Sequence, residues 1–195
     1  MKKVVLIAAM AVFCLTSAQA QEFSFGVKAG VNVASIGGGT YAGVGSIGSR
    51  TGLHIGGLVE IPLFGDISLQ PELLYSMKGT NWSDTNLDYI DLPILGKYNL
   101  PWVNGLSAEL GPVIGILMSA EQGGNDVKDS YKTIDAAIAI GATYKLNMGV
   151  FFSLRYNKGL IDVNDAGSDN PNQNFWWGNS KVQNNVFQVS AGYAF

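Results

Sequence analysis

His54 is the one histidine in the chain and the residue best suited to moving a proton near neutral pH. Leu53 and Ile55 flank it. On an extended backbone, residues an even number apart share a face, so Glu60 lies on the same side of the segment. A general base needs a nucleophile or water beside it and an acid to orient it. No His-x-Ser pair occurs, so a lipid-modifying enzyme lacks its constellation. His54 reads as a polar interior side chain, and no catalytic residue is expected. Asp162-Val163-Asn164-Asp165-Ala166-Gly167 is similar to the start of a calcium loop. However, Ala166 stands where an oxygen ligand belongs, and Gln173 where the closing Glu belongs. No metal and no cofactor is expected.

Ten charged residues recur at alternate positions of extended segments: Lys28, Glu60, Glu72, Lys78, Asp91, Lys97, Glu109, Asp135, Lys145 and Arg155. Five are basic and five acidic. Such a set forms either a matched network that fills an interior or the lining of a narrow conduction path. A further feature with chemistry is Phe175-Trp176-Trp177, bulky aromatics in a stretch rich in Asn and Asp. They suggest a contact surface for a protein, glycan or lipid partner.

These residues need elements to position them. Lys2 and Lys3, an apolar run from Val4 to Leu15 and Ala18-Gln19-Ala20 form a secretory signal peptide, residues 1–20. The run is too short to span a bilayer as a helix. Phe13 before Cys14 argues against lipidation, and cleavage removes the only thiol. The mature domain, residues 21–195, then has 10 basic against 15 acidic residues and a net charge of −5. No basic patch remains for nucleic acid. At 14% charged residues the chain is poorer in charge than soluble domains, which hold about 25%.

Period-two alternation predicts eight strands: Phe23 to Val33, Thr51 to Leu63, Ile67 to Met77, Tyr89 to Asn99, Leu106 to Met118, Ile134 to Leu146, Val150 to Leu160 and Asn185 to Phe195. Pro71 inside the third predicts a bulge. No helix is expected. Long connections follow the odd strands and short ones the even strands, the asymmetry of an outer-membrane barrel with both termini in the periplasm. Strands of about 11 residues suit a tilted crossing of the bilayer.

A soluble barrel would also alternate, with its apolar face inward. Two features point the apolar face outward, to lipid. Gly26, Gly30, Gly52, Gly56, Gly111, Gly115, Gly141 and Gly192 share the polar face, as a narrow lumen requires. The five-to-five charge balance lies there too, and an unpaired buried charge costs several kcal/mol. Phe23, Tyr75, Tyr98, Tyr144, Tyr156, Tyr193 and Phe195 near strand ends suit interfacial girdles. The expected fold is an all-β, eight-stranded antiparallel up-and-down transmembrane β-barrel.

Several stretches resemble the small outer-membrane β-barrel family common in the Bacteroidetes, PorT-like or "outer membrane protein beta-barrel domain". They are Phe25-Gly26-Val27-Lys28-Ala29-Gly30-Val31-Asn32, Gln70-Pro71-Glu72-Leu73-Leu74-Tyr75-Ser76 with Lys78-Gly79, Tyr89-Ile90-Asp91-Leu92-Pro93-Ile94-Leu95, Arg155-Tyr156-Asn157 with Gly159-Leu160, and the terminal Phe195. The resemblance covers the mature chain. It implies the fold, the outer membrane and insertion by the barrel assembly machinery, with Tyr193 and Phe195 as the C-terminal assembly signal. It implies no single activity, although some members serve protein secretion. The expected role is structural or interactive, carried by surface loops over a lumen plugged by charge. A narrow pore for small solutes is the first alternative, and a lipid-modifying outer-membrane enzyme the second.

Overall fold

The computed structural model describes residues 23–37, 49–80, 85–161 and 183–195. The expected signal peptide, the calcium-like stretch from Asp162 to Gln173 and the triplet Phe175-Trp176-Trp177 lie outside them. The strands are β1 (Ser24–Gly37), β2 (Arg50–Phe64), β3 (Ile67–Thr80), β4 (Thr85–Asn99), β5 (Leu106–Gln122), β6 (Asn125–Asp126), β7 (Ile134–Lys145), β8 (Val150–Gly159) and β9 (Gln183–Ala194). Eight are long, and β6 is a two-residue return along the end of β5. Each long strand pairs antiparallel with the next, β5 joining directly to β7. Pairing of β1 with β9 closes the sheet. This is the expected eight-stranded up-and-down barrel. One end carries the connections at 65–66, 100–105 and 146–149 and both chain ends of the barrel; at the other end the connection expected to be long between β3 and β4 spans only 81–84, because the ladder runs on through polar residues on both strands.

Alternation sets the faces. Along β5, Ser107, Glu109, Gly111, Val113, Gly115 and Leu117 are buried, while Ala108, Leu110, Pro112, Ile114, Ile116 and Met118 are exposed. Leu110 is 58% exposed and Phe152 53%, against 3% for Lys28 and 2% for Arg155. The apolar residues therefore form the outer belt, as lipid requires. Tyr98, Tyr144, Tyr193 and Phe195 lie on that outer surface near the turn end. The rings of Tyr193 and Phe195 meet edge to face, with centroids 5.2 Å apart.

Three details depart from the expectations. No bulge forms at Pro71, where β3 keeps one register with both β2 and β4. A proline deletes a donor without adding a residue, so a ladder loses a rung and not its register. The register shift between β2 and β3 falls instead at Pro62–Phe64, beside the turn. Second, β5 continues four residues beyond Met118, because Gly123 and Gly124 take φ values of 55° and 82° and fold the chain back as β6. Third, Lys128–Ser130 forms one turn of 3-10 helix where no helix was expected.

The interior also holds more than glycines and ions. Leu87, Tyr89, Leu117 and Ala120 pack together at the loop end, with Val127 and Tyr131 against them. Leu95, Val113, Ala137 and Ala139 form a second cluster, and Leu58, Phe151 and Ala194 a third at the turn end.

A charge placed on the outer belt meets hydrocarbon. Leu110→Arg should destabilise the barrel by about 2–4 kcal/mol in urea titrations in lipid vesicles, whereas Asn125→Arg, at an exposed loop tip, should change little.

Candidate functional site

The lumen is where the ten alternating charges converge. Glu72 on β3 is the hub, with its carboxylate sealed from solvent. Arg155 on β8 reaches across the barrel with two guanidinium nitrogens at 2.8 Å from its two oxygens. Lys28 Nζ donates to Glu72 Oε2 at 3.1 Å, and Gln70 Nε2 to Oε1 at 2.7 Å. Arg155 also donates to Glu109 Oε2 at 2.8 Å, and Thr143 donates to Glu109 Oε1 at 2.5 Å. This fork-shaped pairing suits the planar guanidinium.

Two smaller groups flank the hub. Toward the loop end, Lys78 Nζ lies 2.8 Å from Asp91 and 4.0 Å from Asp135, and 4.5 Å from the Tyr89 ring centroid. Asp91 and Asp135 flank Gly115 in one row across β4, β5 and β7. A Cβ on Gly115 would lie 2.9 Å from Asp91 Oδ1 and 3.3 Å from Asp135 Cβ, so glycine makes room for them. Toward the turn end, Lys97 Nζ pairs with Glu60 at 2.8 Å. Nine of the ten expected charges are thus drawn into ion pairs. Lys145 is the exception, with no ion pair among the described residues. Lys28, Glu60, Gln70, Lys97, Thr143, Lys145, Ser153 and Arg155 border a cavity of about 10 Å³, room for about one water.

His54 makes its hydrogen bonds outside these ion pairs. Its ring nitrogens lie 2.8 Å from Asn32 Oδ1 and 2.8 Å from Ser190 Oγ. Gln188 Nε2 donates to the same Asn32 oxygen, and Asn32 Nδ2 donates to Ser76 Oγ. Ser190, His54 and Asn32 therefore stand in the order of nucleophile, base and orienting group. All three are buried, and a Cβ on Gly30 would lie 2.7 Å from His54 Cε1, so the ring is packed on that side. Glu60, which shares a strand face with His54, serves Lys97 instead.

Sequence reasoning named the ions but not the partners of His54. Asn32, Ser76, Gln188 and Ser190 all lie on inward positions, which alternation reveals. Their meeting depends on the register of β1 with β2 and β9, which it does not. Among the described residues, no three His, Cys, Asp or Glu side chains are grouped as a metal ion would need.

A closed antiparallel barrel with an apolar belt outside and paired ions inside defines an integral membrane protein of the outer-membrane type. The chain belongs to the outer membrane protein beta-barrel domain family, whose model matches residues 18–165. No curated protein matches it. Similar solved structures include the Neisserial surface protein A (NspA), 15% identical, with a TM-score of 0.57 over 91% of this chain and 100% of that one. Ail, the attachment invasion locus protein of Yersinia pestis, is 13% identical, with a TM-score of 0.50 over 89% of this chain and 99% of its own in the crystal. Its backbone in a phospholipid bilayer nanodisc gives 11% identity and a TM-score of 0.51 over 89% and 100%. These likenesses are of fold.

Removing the hub carboxylate leaves Lys28 and Arg155 with buried, uncompensated charge. Glu72→Gln should destabilise the folded barrel by about 3–5 kcal/mol in urea titration. Lys97→Met, whose partner Glu60 is more exposed, should lose less.

Proposed function

We propose that this protein is a non-catalytic outer-membrane barrel whose surface loops make contacts while a charge network plugs its lumen. The observation that carries the plug is the interior itself. Ion pairs centred on Glu72 and Arg155 cross it, and apolar clusters pack beside them at both ends. An eight-stranded barrel is narrow enough for side chains to fill it, and the cavity at the turn end suits one water, not a stream of solutes.

In this reading the turn end and both termini face the periplasm, and the long connections face outward. Tyr193 and Phe195 serve as the C-terminal signal for the barrel assembly machinery. Phe175, Trp176 and Trp177, in the longest connection, form the contact surface for a protein or glycan. Ail is by its name an attachment and invasion protein, but the likeness to it concerns fold, so the contact role here stands on the loop aromatics. Membership of the PorT-like Bacteroidetes group rests on the motifs from Phe25 to Asn32, Gln70 to Gly79 and Tyr89 to Leu95.

Two measurements test the reading. In planar bilayers the purified protein should give no stepwise conductance; steady single-channel steps would favour the pore and overturn the plug. In pull-downs from detergent-solubilised outer membrane, deleting Phe175 to Trp177 should abolish a partner captured by the wild type without altering the heat-modifiable gel mobility of the barrel. Equal capture by both would remove the triplet from the contact role.

A further inference from the structure

Charge does not balance at the turn end of the lumen. Lys28, Lys97, Lys145 and Arg155 line the cavity there, and Glu60 is the one acid that lines it among the described residues. Glu72 and Glu109, behind that lining, hold Lys28 and Arg155. Glu60 holds Lys97. Three carboxylates therefore answer three cations, and the ammonium of Lys145 is left over.

The same wall carries two more groups in need of an acceptor. Ser153 Oγ and Arg155 Nε are buried with no hydrogen-bond partner among the described residues, and each residue is 2% exposed. Pairing of β7 with β8 sets Thr143 opposite Ser153 and Lys145 opposite Phe151, so Lys145, Ser153 and Arg155 occupy adjoining inward rows. At the other end of the lumen carboxylate and amide acceptors lead the orphan atoms, Asp91 Oδ2, Asp135 Oδ1 and Asn184 Oδ1, beside the Tyr89 hydroxyl. The turn end thus has a surplus of donors and positive charge, located at a cavity.

We propose that this cavity binds one small inorganic anion of the size and charge of chloride, held by Lys145, the Ser153 hydroxyl and Arg155 Nε–H. Leu58, Phe151 and Ala194 line the same space. Their apolar surface lowers the local dielectric and strengthens attraction between the anion and its cations. The cavity's small volume excludes polyatomic organic anions, while the half-buried Lys145 has freedom to draw back and admit the ion. Bound there, the anion completes the pairing that Glu60, Glu72 and Glu109 leave unfinished. The inference rests on the cavity and is independent of any contact made by the surface loops.

The test uses the full-length mature barrel, labelled with ¹⁵N in lipid nanodiscs. It is titrated with sodium chloride against sodium gluconate at constant ionic strength. Chloride should produce saturable shifts at the Lys145 and Ser153 amides and at Arg155 Nε, and gluconate should not. Lys145→Met and Ser153→Ala should each weaken binding by about tenfold or more, the consequence of losing one contact to a charged group. Glu60→Gln, which removes the acid from the lining, should tighten it. A wild-type response that does not saturate, or that gluconate reproduces, would overturn the proposal without recourse to any variant. So would a midpoint unmoved in both Lys145→Met and Ser153→Ala.

Discussion

Backbone hydrogen bonding in a solvent that offers none is the constraint on which this structure depends. Each N–H and C=O within hydrocarbon needs a partner from the chain itself, and leaving one without costs several kcal/mol. A sheet meets that demand when it has no edge. Pairing of β1 with β9 removes the last two edges, from Gly26–Ala194 to Gly37–Gln183. Once the sheet is closed, one face of every strand has lipid for a neighbour and the other has the opposite wall of the barrel. The outer face becomes leucine, isoleucine, valine and aromatics. The inner face must be filled by what eight strands leave space for.

The filling divides into zones. Apolar clusters sit toward both ends, the Glu72–Arg155 hub and His54 with its polar partners lie between them, and Glu60, Lys97 and Lys145 share the turn end with Leu58, Phe151 and Ala194. An isolated charge in that setting would be prohibitive, so Arg155 and Glu72 span the lumen to satisfy each other, with Lys28, Gln70 and Glu109 completing the shell. Polar inward residues have another effect, visible along the chain. Because most inward positions of a strand are small, polar or charged, residues 21–195 contain no unbroken apolar run of the length that spans a bilayer as a helix.

Much of this was legible before any coordinates. Strand number follows from period two, and the inward side of Lys28, Glu72 and Arg155 from the glycines and matched charges on their face; the order of long and short connections fails at β3–β4, whose four residues are fewer than the six between β4 and β5. Strand ends were less legible. β4 begins at Thr85, not Tyr89, and β5 ends at Gln122, not Met118, because ladders can run on through polar residues beyond the apolar pattern. Leu74, Leu87, Tyr89, Leu95 and Leu117 were missed as interior residues, since they put apolar side chains at positions whose neighbours are polar. Partner choice was hidden most of all. Lys97 lies opposite Glu109 in the ladder yet pairs with Glu60, and His54 meets Ser190 from 136 residues away. Such meetings depend on barrel curvature and side-chain reach, which no local pattern encodes.

The seam between β1 and β9 also imposes an order in time. Phe195 N donates to Phe25 O at 2.7 Å, and Ser24 Oγ donates to Phe195 O across 171 residues of sequence. β1 therefore gains one of its two neighbours only after β9 has been synthesised. Closure carries the greatest loop entropy the chain can offer, and contacts of that range fold slowly. Until it happens, β1 presents an open edge able to recruit another chain. Aggregation before closure is thus the hazard written into this topology.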